Sequence, residues 1–80
     1  MDGAPHFEAS SPVPLYMQAA DFIAARIASG ELAHGARLPA ERDLAEDWGV
    51  AYQTVRRAMR ELRGRGLVVS VVGKGTFVAL

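Results

Sequence analysis

Apolar side chains recur at steps of three and four residues in three stretches of this 80-residue chain, the spacing that lines one face of an α-helix. The first stretch predicts a helix from about Leu15 to Ser29, preceded by Pro14 and ended by Gly30. A shorter helix is predicted from about Ala40 to Trp48, and a third from about Ala51 to Arg63. The apolar faces consist of Leu15, Ala19, Phe22, Ile23 and Ile27, then Leu44, Ala45 and Trp48, then Val55, Ala58, Met59 and Leu62.

The hydrophobic pattern changes after the third helix. Residues 67–72 are rich in valine and too few for a stable helix, so they predict a strand. Gly73-Lys74-Gly75 predicts a turn, and Thr76-Phe77-Val78 predicts a second strand that closes a hairpin. Brief strand pairing is also expected at Arg37-Leu38. The predicted fold class is α+β, mainly α, with three helices and a C-terminal β-hairpin.

Residues 1–12 are small, polar and proline-containing, and we expect a flexible tail ahead of a single domain over residues 13–80. The chain contains no cysteine, which excludes disulfides and thiolate metal sites. No apolar run approaches the roughly 18 residues of a membrane span, and the N-terminus does not have the pattern of a signal peptide. A cytoplasmic location is therefore expected.

The zero net charge of the chain is the sum of two opposite halves. Residues 1–50 hold three basic and eight acidic side chains, a net charge of −5, whereas residues 51–80 hold six basic and one acidic, a net charge of +5. Such asymmetry is typical of a surface that binds a polyanion. A solvated charged helix without any partner would give the same charge pattern, so the charge distribution alone leaves this alternative open.

The second and third predicted helices, joined by a tight turn at Gly49, have the arrangement of a helix-turn-helix, whose second helix enters the DNA major groove. With the apolar face of the third helix turned inward, Gln53, Arg56, Arg57 and Arg60 lie on the opposite side. Arginine and glutamine side chains recognise base edges and phosphates. The hairpin turn with its single lysine would then act as a wing at the minor groove.

At this point the sequence resembles the DNA-binding domain of the GntR family of bacterial transcription regulators. The resemblance covers about residues 13–78. It is carried by Pro14-Leu15-Tyr16, Ser29-Gly30-Glu31-Leu32, Gly35-Ala36-Arg37-Leu38-Pro39-Ala40-Glu41-Arg42-Asp43-Leu44-Ala45, Gly49-Val50, Thr54-Val55-Arg56-Arg57-Ala58, Gly66-Leu67 and Gly73-Lys74-Gly75-Thr76-Phe77-Val78.

The resemblance implies a winged helix-turn-helix that binds double-stranded DNA sequence-specifically, as a transcriptional regulator and expected repressor. It implies an operator with two-fold symmetry and a homodimer formed on DNA. The recognition helix, about 51–63, would lie in the major groove, and the wing, 73–75, at the minor groove. The expected DNA-contacting residues are Arg42, Ala51, Tyr52, Gln53, Thr54, Arg56, Arg57, Gly73, Lys74 and Gly75.

An enzyme is not expected, and neither is a cofactor or a metal site. His6 lies in the predicted tail and His34 in a turn, without a spacing typical of catalysis or metal binding. The acidic residues 41–47 spread over more than one face of the second helix. The open alternatives are an acidic protein partner for the basic face and, less favoured because the A-form major groove excludes a helix, structured RNA.

The chain departs from the family pattern at two places. It stops two residues after Val78, where these regulators usually continue into an effector-binding domain, so no effector ligand is assignable here. It is therefore either an excised domain or a short stand-alone member, and Met1 favours the second. The other departure is Ala51-Tyr52, where the family commonly has Ser or Thr followed by Arg.

Substitution Tyr52→Arg is expected to change the preferred DNA sequence, because it restores a cation that can bond a base edge where this chain has a phenol. The measurement is an in vitro selection of bound duplexes with the variant and the unsubstituted chain in parallel. The same preferred sequence for both proteins would contradict this hypothesis.

Overall fold

The computed structural model describes residues 5–80, so Met1–Ala4 of the expected tail lie outside the described residues. Helix α1 spans Leu15–Ser29, α2 spans Glu41–Trp48 and α3 spans Tyr52–Gly64. Strands β1, Val68–Val71, and β2, Gly75–Val78, follow. The predicted α+β, mainly α, architecture is thereby confirmed. No helix within residues 5–80 is long and apolar enough to cross a membrane.

Each end of the three helices lies within one residue of its predicted position. The residue immediately before each helix is Pro14, Ala40 or Ala51. Each of these residues has an extended backbone with a ψ of 143–148°, and none caps its helix through a side-chain hydrogen bond. Pro14 is thus placed just before the first turn of α1. Gly49 ends α2 at a φ of 65°, a left-handed conformation that favours glycine, and only Val50 and Ala51 separate it from the start of α3.

The core lies where α1 and α2 both pack against α3. All four predicted apolar positions of α3 are at most 1% exposed, and Trp48 of α2 is buried as the stripe predicts. Val68 and Val78, one from each strand, extend this core under the hairpin. The buried set is Ala19, Ala20, Ile23, Ile27, Leu38, Leu44, Ala45, Trp48, Val55, Ala58, Met59, Leu62, Val68 and Val78.

The hairpin pairs antiparallel, with Val68 opposite Val78 and Val71 opposite Gly75. The predicted first strand is shortened at both ends and the second gains Gly75. The expected pairing at Arg37-Leu38 is confirmed as a bridge between Arg37 and Phe77, with the Leu38 N–H donating to the Thr76 carbonyl at 2.8 Å. The α1–α2 connection is therefore attached to β2 by an isolated β-bridge.

Residues 5–12 contain no helix or strand, yet Phe7 contacts the helical core. Its ring meets Trp48 edge-on at 5.5 Å and Phe22 at 6.1 Å, and those two rings lie 5.9 Å apart. The backbone beside it is fixed to α1, because Glu8 N–H donates to Gln18 Oε1 and Gln18 Nε2 donates to the Glu8 carbonyl, both at 2.9 Å. This segment therefore joins α1 and the end of α2.

Substitution Phe7→Ala is expected to lower the free energy of unfolding by about 1–2 kcal/mol, because it removes a half-buried ring and two edge-on aromatic contacts. For a domain of this size that corresponds to a fall in melting temperature of about 5–10 °C. The measurement is thermal and urea unfolding followed by circular dichroism. The matched control is His6→Ala, whose side chain is 87% exposed, and equal stability of both variants would contradict a packing role for Phe7.

Candidate nucleic-acid interface

Helix α3 presents one polar face to solvent. Gln53, Arg56, Arg57 and Arg60 are all exposed, while Thr54 is half-buried at the first turn. This division follows from the 100° rotation per residue, since the other side of the helix is held in the core. These four exposed residues include three arginines, and Glu61 flanks them beside Arg57 and Arg60.

An open groove of about 590 Å³ runs between the hairpin and the starts of α2 and α3. Arg42 and Tyr52 line its helical side, and Gly73, Lys74 and Gly75 line the opposite side. The fold thus brings together five of the ten residues singled out from the sequence. Gln53, Thr54 and Arg56 follow Tyr52 along α3 but do not line this groove.

Ala51 lies at the junction between α2 and α3. It is exposed and has the extended backbone of a helix N-cap, with no side-chain oxygen to accept a hydrogen bond from the first turn. Its carbonyl accepts from Thr54 N–H at 3.0 Å.

Tyr52 lies between two arginine side chains. The Arg42 guanidinium carbon is 4.3 Å from the centre of the ring, and that of Arg56 is 5.9 Å away. Arg42 belongs to the first turn of α2, whereas Tyr52 and Arg56 are one turn apart on α3. The ring therefore links the two helices of the helix-turn-helix.

Arg57 points to a different part of the surface. Its guanidinium carbon lies 4.0 Å from the centre of the Tyr16 ring on α1. Together with Arg60 and Arg65, these two residues line a smaller depression of about 370 Å³ at the other side of α3. Sequence reasoning grouped Arg57 with the groove residues and quoted Tyr16 only within the motif Pro14-Leu15-Tyr16, without assigning it to the site.

The hairpin turn is closed by Lys74 N–H, which donates to the Val71 carbonyl at 3.0 Å. Gly75 has a φ of 117°, and a Cβ at this position would lie 2.9 Å from Arg37 Nε. The Arg37 side chain therefore lies directly against the backbone of the turn. Sequence reasoning did not include Arg37 in the site. The available signal was that Arg37 precedes the apolar Leu38 in a predicted strand, where neighbouring side chains point to opposite faces.

Only two of the nine Lys and Arg side chains form ion pairs with carboxylates in the described residues. Arg26 pairs with Glu31, and Arg65 pairs with Asp21 at 2.9 Å and Glu61 at 2.8 Å. The hydrogen bonds that Arg65 donates to Glu61 and Asp21 raise the pKa of its guanidinium above the ordinary value. Arg65, counted in the basic half of the sequence, thus connects α1 to α3. The cations without a carboxylate partner in this part of the chain are Arg37, Arg42, Arg56, Arg57, Arg60, Arg63 and Lys74.

The sequence profile of bacterial regulatory proteins of the gntR family matches residues 15–78, which include all three helices and both strands. The chain belongs to the GntR family. Curated GntR relatives include the HTH-type transcriptional regulator SmoD of Agrobacterium fabrum, 41% identical over 82% of this chain, and the repressor NagR of Bacillus subtilis, 41% identical over 86%. The chain spans only 28% of the length of each of these two proteins.

Solved structures give the same fold. AraR(DBD) in complex with operator ORX1 has a TM-score of 0.87 at 31% identity, with 99% of this chain and 100% of that one covered. YtrA from Sulfolobus acidocaldarius, a GntR-family transcription factor, has a TM-score of 0.87 at 37% identity over 94% of this chain and 79% of its own. The three helices and hairpin are therefore the winged helix of GntR proteins.

Proposed function

We propose that this chain binds double-stranded DNA sequence-specifically, as the DNA-binding domain of a GntR-type transcriptional repressor acting in the cytoplasm. Helix α3 would enter the major groove and the turn 73–75 would reach the minor groove. The proposed contacts are made by Arg42, Ala51, Tyr52, Gln53, Thr54, Arg56, Arg57, Gly73, Lys74 and Gly75. No effector ligand is assigned to these residues.

The observation that carries this proposal is the set of cations without carboxylate partners around α3 and the groove. Arg42 and Lys74 face each other across it, and Arg56 extends the positive surface along the helix. Phosphates follow each other along a DNA backbone, so binding needs several cations at separate points rather than one pocket. The exposed Gln53 adds a side chain that can bond an adenine edge.

The relatives support the same conclusion. NagR and the histidine utilization repressors are named as repressors, and AraR(DBD) was solved with three operators. A helix-turn-helix dimer reads two half-sites about 34–36 Å apart, so we further propose a two-fold symmetric operator and a homodimer formed on it. These finer points rest on the geometry of such domains in general.

Binding to duplex DNA is expected to weaken steeply with salt, with a log–log slope of about −0.9 for each phosphate contact and about −4 for four contacts. The measurement is fluorescence anisotropy of a labelled duplex obtained by selection from random sequences, titrated at several NaCl concentrations. The selected sequences also report whether the site is a two-fold repeat. No retention of any duplex at low salt would overturn the proposed function and favour an acidic protein partner.

Substitution Arg56→Ala is expected to reduce affinity for the selected duplex more than Arg63→Ala does. Arg56 lies in the second turn of α3, near the end that reads bases, whereas Arg63 lies at the last turn and donates to Ser70 Oγ at 3.0 Å. A lost bidentate base contact corresponds to a loss of about 1–3 kcal/mol. Both variants remove one positive charge, so equal losses would indicate a diffuse electrostatic surface instead.

A further inference from the structure

The orientation of Arg42 requires a physical cause, because its position in α2 is electrostatically unfavourable. It is the second residue of the helix, where the positive end of the helix dipole repels a cation. Its neighbours Glu41 and Asp43 suit that end, yet neither forms an ion pair with Arg42 in the described residues. The contact that the structure does show is with the Tyr52 ring, at 4.3 Å.

This contact crosses from α2 to α3 at the mouth of the groove. Both residues line the groove, and Tyr52 is half-buried while Arg42 is exposed. The ring is therefore fixed by packing against the core, and the guanidinium rests on a fixed surface. A cation over an aromatic face is attracted by the ring quadrupole and keeps its full charge and its N–H donors for other partners.

We propose that Tyr52 is a positioning residue that holds the Arg42 guanidinium ready to bind DNA at the mouth of the groove. This inference rests on the proposed function and adds a residue that acts through another. A free arginine side chain loses rotamer entropy when it is fixed, and a side chain already held loses less on binding. Tyr52 thus compensates for the cation that the chain lacks at this position, by ordering one on the neighbouring helix.

The contact itself is tested in the free protein by NMR. The Arg42 side-chain protons are expected to show an upfield ring-current shift in the unsubstituted chain and in Tyr52→Phe, and to lose it in Tyr52→Leu. The matched control is Arg57, which stacks on Tyr16 and whose shifts are expected to be the same in all three proteins. Arg42 shifts that do not respond to Tyr52→Leu would overturn the proposal, whether or not the chain binds DNA.

The positioning role is tested by a double-mutant cycle of Arg42→Ala and Tyr52→Leu, with affinity for the selected duplex as the readout. An exposed cation–π contact of about 0.5–1 kcal/mol corresponds to a two- to five-fold loss of affinity for Tyr52→Leu. Tyr52→Phe, which keeps the ring, is expected to restore affinity to within about two-fold of the unsubstituted chain. In the Arg42→Ala background the loss caused by Tyr52→Leu is expected to fall by at least half, leaving only the part that Tyr52 contributes through its own contact with DNA.

Two results separate this inference from the proposed function. If the unsubstituted chain binds DNA but the Tyr52→Leu loss is the same size without Arg42, Tyr52 acts only by direct contact or through the fold, and the positioning role is wrong. If the unsubstituted chain binds no duplex, the proposed function fails and the positioning role with it, although the ring-current shift persists. A parallel cycle with Arg63→Ala is the control, and we expect no coupling to Tyr52 there.

Discussion

Burial of one face of α3 is the constraint on which the rest of the molecule depends. Val55, Ala58 and Leu62 are fully buried and Met59 nearly so, between α1 on one side and α2 on the other. Because successive residues of a helix are rotated by about 100°, fixing these four side chains fixes the direction of every other one. Rotation by even one residue position would push an arginine into the core without a partner, at a large desolvation cost. The basic face of α3 points to solvent because the apolar face of the same helix must be buried against α1 and α2.

The hairpin depends on the same core. Val68 and Val78 are buried beneath it, and the Leu67 N–H donates to the Leu62 carbonyl at 3.0 Å, so the strand leaves the end of α3 in a fixed direction. The isolated bridge at Arg37 pairs with the other edge of β2. The groove between Lys74 and the α2–α3 junction is therefore set by packing that lies outside it. Glycines form the turn itself, which lets the chain reverse beside the Arg37 side chain.

The features that could be predicted from the sequence are those governed by local spacing. The bounds of α1, the buried stripe of α3 and the two strands follow from period and from glycine positions, which involve residues a few places apart. The rest depends on residues that meet only after folding. Arg65 and Asp21 are 44 positions apart in the sequence. Phe7 contacts Trp48 although all of α1 and nearly all of α2 lie between them in the sequence. Nothing in the composition near Phe7 distinguishes it from a solvated tail.

The candidate site shows the same division. Five residues of the groove were identified individually, but the stacking of Arg42 on Tyr52 and of Arg57 on Tyr16 was not, since each contact joins two helices. Tyr52 in particular was interpreted as the loss of a cation, whereas its ring holds one from α2. The sequence alone therefore indicated which residue types are present and left open which of them act together.

The two kinds of partner that hold arginines in this molecule have different consequences for its charge. Arg65 is held by the carboxylates of Asp21 and Glu61, which neutralise its charge and connect α1 to α3. Arg42 and Arg57 are held by aromatic rings, which fix a guanidinium without neutralising it. A carboxylate beside Arg42 would order it equally well but would repel the phosphate it is proposed to meet. Arg26 has both kinds of partner, Glu31 and the Phe22 ring, and its charge is neutralised. The zero net charge thus conceals a separation in which paired charges hold the scaffold together, whereas the cations stacked on Tyr16 and Tyr52 stay available at the surface.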